Sequence, residues 1–105
     1  MSTDETQLFS LLGLCRKAHK IVFGHDACKI AMRDKTAKCC ILCADASERL
    51  KAEMLALATE NSIPVQESAI TMSQMKAATQ YASAVFCITE VGFARRIAAL
   101  QENIS

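Results

Sequence analysis

The sequence predicts an α/β fold, a three-layer α/β/α sandwich with a central mixed four-stranded sheet, as a single domain over residues 1–105. Three observations predict it. Helix and strand signals alternate along the whole chain, which favours a sheet with helices packed on it. Two strand-like runs, Cys39-Cys40-Ile41-Leu42-Cys43 and Ala84-Val85-Phe86-Cys87-Ile88, are apolar at every position. Both faces of such strands need cover, so helices belong above and below them. With 105 residues, 51% of them hydrophobic, the chain has material for one modest core and is too apolar to stay disordered.

Each element has a local reason. Ser2 with Glu5 three residues later resembles a capping box. Leu8, Leu11, Leu12 and Cys15 then recur at helical spacing up to about Ala18. A short strand covers Lys20 to Phe23, and Gly24 turns the chain into a second helix, Asp26 to Asp34, with Asp26 as the expected N-cap. In that helix Ala27, Ile30 and Ala31 are expected to form the apolar stripe, while Lys29 and Arg33, four apart, share another face. After the first apolar strand, Asp45 and Glu48 are placed to cap a third helix with the stripe Leu50, Met54, Leu57 and Ala58. Asn61 ends it, Pro64 prevents its return, and Val65 begins a short strand. Ser73 is the expected cap of a brief helix through Met75 to Thr79. Thr89 or Glu90 then starts the last helix, anchored by Phe93, Ile97 and Leu100. Periodicity carries no information on strand order.

Charge gives the strongest pointer to function. The 23 residues from Arg16 to Lys38 hold seven bases and two acids, Asp26 and Asp34, a formal balance of +5. The remaining 82 residues balance to −4, so the overall +1 hides a basic segment. A charge run often does no more than solvate a face. Here the bases are segregated from the acids and flank a glycine turn that opens a helix, where free N–H groups and the positive dipole end suit phosphates. Lys17, Lys20, Lys29 and Arg33 are the expected phosphate contacts, and the implied partner is nucleic acid. With 5% aromatic residues, a platform that stacks successive bases is not expected.

Other chemistries find little support. The six cysteines lie in apolar strand runs or helical patterns, as buried free thiols of a reducing compartment do. Cys40 and Cys43, three apart in a strand, face opposite sides and cannot converge on a metal. His25 and Cys28 lie one helical turn apart without convergent further ligands. Cys15 and His19 read as a buried Cys beside a helix-end His, although a reactive thiolate at Cys15 or Cys28 would make an enzyme a third reading. No Ser-His-Asp arrangement, Walker loop or dinucleotide fingerprint occurs, so no catalysis, metal or cofactor is expected. No apolar run approaches membrane-span length, and Met1 to Glu5 is polar and acidic where a signal peptide is basic. A soluble, cytoplasmic protein without membrane or small-molecule partner is expected.

A family likeness covers nearly the whole chain in register. Leu11-Leu12-Gly13-Leu14, Arg16-Lys17-Ala18-His19-Lys20-Ile21-Val22 and Gly24 resemble the opening of the bacterial YlxQ-type proteins. These belong to the ribosomal-protein superfamily named for the archaeal large-subunit protein L-seven-Ae. The likeness continues through Ala37-Lys38, Leu42-Cys43-Ala44-Asp45-Ala46-Ser47, Ile63-Pro64-Val65 and Thr89-Glu90-Val91-Gly92-Phe93-Ala94. It implies the three-layer sandwich and non-enzymatic binding of structured RNA, ribosomal RNA included. It also implies an RNA surface made from Gly24, His25, Asp26 and Lys29 together with Ile88, Thr89, Glu90 and Val91. Kink-turn binders open the second helix with Asn-Glu and place a Lys three residues after the Glu. The matching positions are Asp26, Ala27 and Ile30, so the resemblance implies RNA binding without the kink-turn set. His19 also stands where YlxQ-type proteins usually carry a small residue. The alternative function is a protein-interaction module on the same fold that has lost RNA recognition.

Overall fold

Helix α1 (Thr3–Lys17) forms because its apolar residues fall on one face, with Asp4 and Glu5 in its first turn and Arg16 and Lys17 in its last, each favourable to the helix dipole. The computed structural model describes residues 3–104, so the Ser2 half of the expected capping box lies outside the described residues. Alternation continues through β1 (Ile21–Phe23), α2 (His25–Arg33), β2 (Cys39–Leu42), α3 (Glu48–Glu60), β3 (Val65–Glu67), α4 (Met72–Thr79), β4 (Val85–Ile88) and α5 (Val91–Ile104). The four strands make one mixed sheet in the order β1-β4-β2-β3. Only β2 and β3, joined by the α3 crossover, pair in parallel; β4 lies antiparallel to both β1 and β2.

The sheet separates two apolar clusters, which makes three layers. On one face Leu8, Leu11, Leu12 and Cys15 of α1, Met75 of α4 and Ile97 and Leu100 of α5 pack on Cys39, Ile41, Phe86 and Ile88. On the other, Cys28, Ala31 and Met32 of α2 and Met54, Leu57 and Ala58 of α3 pack on Cys40, Leu42, Val85 and Cys87. β2 and β4 are buried at every residue, as their unbroken apolar runs require. All six cysteines are free and buried, and Cys40 and Cys43 fall in different clusters, on opposite faces of the sheet.

Three local expectations are corrected. In α2 the buried stripe is Cys28, Ala31 and Met32; Ala27 is exposed and Ile30 is 63% exposed, because α2 covers β1 and β4 with the face one residue further round. The cap of α3 is Ser47, whose hydroxyl accepts from the Leu50 N–H at 3.1 Å. Asp45 reaches across the fold instead, its carboxylate accepting from the Met72 N–H at 2.9 Å at the start of α4. Finally, α4 is capped by Thr71, not Ser73, in a reciprocal capping box with Gln74.

Candidate nucleic-acid interface

The glycine turn is built by backbone geometry. Gly24 precedes α2 with φ 94° and ψ 162°, a region open essentially to glycine alone, and its carbonyl takes the first helix bond from the Cys28 N–H at 3.0 Å. No side chain caps α2. Asp26 is therefore not the N-cap. It sits in the first turn with its carboxylate 95% exposed, 3.3 Å from His25 Nδ1. His25 Nε2 pairs with the Glu53 carboxylate of α3, a partner that no sequence spacing signals. That hydrogen bond raises the His25 pKa above 6.5 and holds Glu53 below its ordinary value. Lys29, one turn on, adds a positive field that opposes the His25 shift and reinforces the lowering of Glu53. Among the described residues, Lys17, Lys20, Lys29 and Arg33 close no ion pair.

The expected site residues do not form one patch. In the β1–β4 register, Ile21 lies opposite Ile88 and Phe23 opposite Phe86. One step beyond one end, the Gly24 N–H donates to the Val85 carbonyl at 3.1 Å; beyond the other, the Thr89 N–H donates to the Lys20 carbonyl at 2.9 Å. Four residue steps of extended chain separate these points, roughly 13 Å. Gly24, His25, Asp26 and Lys29 thus gather at the start of β4, beside Ser83, Ala84 and Val85, whereas Thr89, Glu90 and Val91 gather with Lys20 at its end. α2 runs back along the sheet, so Arg33 and Lys38 return toward the Lys20 side, where the Lys38 N–H donates to the Ile88 carbonyl at 2.7 Å. Lys17 ends α1, exposed, just ahead of Lys20.

Glu90 has a structural occupation. Its two carboxylate oxygens accept from the Gly92 and Phe93 N–H groups, both at 2.8 Å, and close the N-terminus of α5. A Cβ on Gly92 would come within 3.0 Å of that carboxylate, so glycine leaves room for the cap to fold over. These two N–H bonds hold the Glu90 pKa below 4.5. Val91 is half exposed and Thr89 partly buried.

Five of the six thiols are poor nucleophiles where they stand. Burial pushes the Cys15 thiol up to about 12 and the Cys39 and Cys43 thiols up to about 11. Cys40 is raised by its contact with Cys87, and Cys87 in turn by its contact with Cys28. Among the described residues, no group of three or more His, Cys, Asp or Glu is placed to hold a metal ion. No described helix is long and apolar enough to cross a membrane.

Residues 6–92 match the family described as Ribosomal protein L7Ae/L30e/S12e/Gadd45. Among curated proteins, none matches the chain. A solved structure of a protein of unknown function from Bacillus halodurans is similar with a TM-score of 0.85 and 26% identity, covering 91% of this chain and 97% of that one. A Giardia lamblia 15.5kD RNA binding protein shares the fold with a TM-score of 0.72 and 13% identity, covering 99% of this chain and 89% of that one.

Proposed function

The chain belongs to the Ribosomal protein L7Ae/L30e/S12e/Gadd45 family, and from that premise we propose that it binds structured RNA without catalysing a reaction. One observation carries the reading. The N-terminus of α2 is open, its first N–H groups uncapped by any side chain, and cations without ion pairs stand along the same flank of the fold. Lys29 and the α2 start hold backbone phosphates at one end of the β1–β4 pair. Lys17, Lys20 and Arg33 extend the contact toward the other, with Thr89 and Val91 as its far edge and Glu90 fixing that edge from beneath. The family's description as ribosomal proteins supports an RNA of the translation apparatus as the target.

Kink-turn selectivity is not part of the proposal. Ala27 and Ile30 point to solvent beside Asp26, so the positions where kink-turn binders read base edges are surface positions here and carry no cation or acceptor pair. The protein-interaction reading draws on the same exposed Ile30.

Changing Lys17, Lys20 and Lys29 together to Glu separates the two. RNA affinity should fall for every RNA tried, because phosphate contacts carry no sequence information, and the slope of log affinity against log salt should shrink. A kink-turn RNA should bind the native protein no more tightly than a duplex of equal length that carries the same number of unpaired nucleotides in a simple bulge. Unchanged affinity and slope in a folded variant would sink the RNA reading and leave the interaction module.

A further inference from the structure

β1 is an edge strand, and a groove of about 220 Å³ runs beside it, lined by Arg16, His19, Ile21, Phe23 and Tyr81. The Phe23 and Tyr81 rings stack with centroids 4.8 Å apart and planes 20° from parallel. The Arg16 guanidinium lies over the Tyr81 ring, 5.2 Å from its centroid. Tyr81 remains 49% exposed, a large amphipathic ring left at the surface of a chain that has one tyrosine and four phenylalanines. Arg16 Nε is buried and has no hydrogen-bond partner among the described residues. Tilting the guanidinium onto a ligand therefore costs Nε no hydrogen bond among the described residues. The groove is smaller than the roughly 300–1,000 Å³ of sites that enclose drug-sized molecules. It suits one planar ring system. His19 lines the groove, and Lys17 and Lys20, both exposed, lie on either side of His19 in the chain.

We propose that this groove takes one unpaired nucleobase of the bound RNA, stacked on the Arg16–Tyr81–Phe23 array, with the adjoining phosphate on the Lys17–His19–Lys20 rim. Unpaired bases splayed from a loop or bulge stack on aromatic rings and on arginine planes, and every base offers a π face, so the contact selects for an unstacked base more than for its identity. The inference rests on the RNA reading above but uses different residues from the α2 N-terminus. It gives a small, aromatic-poor protein a way to prefer bulged RNA over a plain duplex.

The test compares two RNA duplexes by fluorescence anisotropy, one with a single bulged adenosine and one with an abasic residue at the bulge. Native protein should bind the base-bearing bulge about 10-fold or more tightly. Tyr81→Leu and Arg16→Gln should each bind the two RNAs nearly alike, while Tyr81→Phe keeps the preference. Circular dichroism melts establish that each variant is folded, and Arg16→Gln carries the test if Tyr81→Leu disturbs the Phe23 contact. A bulged 2-aminopurine should lose fluorescence on binding native protein and not on binding Arg16→Gln. Salt-sensitive binding of both RNAs with equal affinity overturns the stacking site and leaves the RNA reading standing. No binding of either RNA by native protein overturns both.

Discussion

Two helix N-termini stand at opposite ends of the β1–β4 pair, and they are finished in opposite ways. At α5 the Glu90 carboxylate folds back over Gly92 and takes the Gly92 and Phe93 N–H groups, so charge and hydrogen-bond capacity are spent inside the protein. At α2 the preceding residue is Gly24, which has no side chain to give, and Asp26 turns its carboxylate outward. A closed helix start has little left to offer an anion, while an open one keeps its N–H groups and dipole for a ligand. The sequence likeness treats both segments as one RNA surface. The physical chemistry divides them into a phosphate site at α2 and a braced rim at α5.

The largest expected effect comes from closing the conformational freedom at the open end. Gly24→Ala places a Cβ in open space, with no neighbouring atom within 4 Å, so its whole cost is backbone strain at φ 94°. That strain is worth about 1–3 kcal/mol. Urea unfolding should show a lower midpoint with an unchanged slope, and RNA affinity should fall because the α2 entry shifts. An unchanged midpoint would mean that the turn relaxes to negative φ and that glycine is not required there.

Opening the closed end is the next test. Glu90→Gln removes the charge and one of the two acceptors over α5, so the melting temperature at pH 7 should drop by a few degrees. The sign with pH follows from the lowered pKa, caused first by the Phe93 N–H and then by the Gly92 N–H. A carboxyl held below 4.5 in the folded protein contributes stability that is fully present above its unfolded pKa and drains away as pH falls through its folded value. Protonated Glu and Gln are then equivalent, so native and variant melts should converge toward about pH 3. RNA affinity should not fall. A clear loss of RNA binding in a stable Glu90→Gln protein would restore Glu90 as a direct contact and erase the division between the two ends.

What the sequence revealed and concealed follows the range of the forces involved. β2 and β4 were legible because burial on both faces leaves no polar residue in either run. Helix ends were harder, because several cap-forming residues crowd each boundary and tertiary geometry picks among them. Ser47 won at α3 because Asp45 was needed across the fold at Met72, and Thr71 won at α4 because Gln74 lies three residues on. Ile30 looked like core because it is apolar at helical spacing; a short helix over two strands buries only one narrow stripe, and Cys28, Ala31 and Met32 fill it. Strand order, the His25–Glu53 pair and the Phe23–Tyr81 stack join residues far apart in the chain, and no local pattern encodes such meetings.

The smallest effect discriminates most finely, because two consequences of one charge have opposite signs. Asp26 lies in the first turn of α2, where a carboxylate interacts favourably with the helix dipole, and it is 95% exposed, where it repels an incoming phosphate. Asp26→Asn keeps the size and removes the charge. Stability should fall by no more than about 0.5 kcal/mol, read from the urea midpoint. RNA affinity should rise roughly two- to fivefold at low salt, and the gain should fade as salt screens the lost repulsion. The gain should exceed that from Glu90→Gln, since only the Asp26 carboxylate, paired with no more than His25, lies exposed at an open helix start. Equal gains at the two positions would mean that phosphates sense the summed charge of the basic flank rather than the α2 N-terminus. A loss at Asp26 would mean that this carboxylate accepts hydrogen bonds from the RNA, and phosphate contact would then fall to the side chains of Lys17, Lys20, Lys29 and Arg33 without the α2 N-terminus.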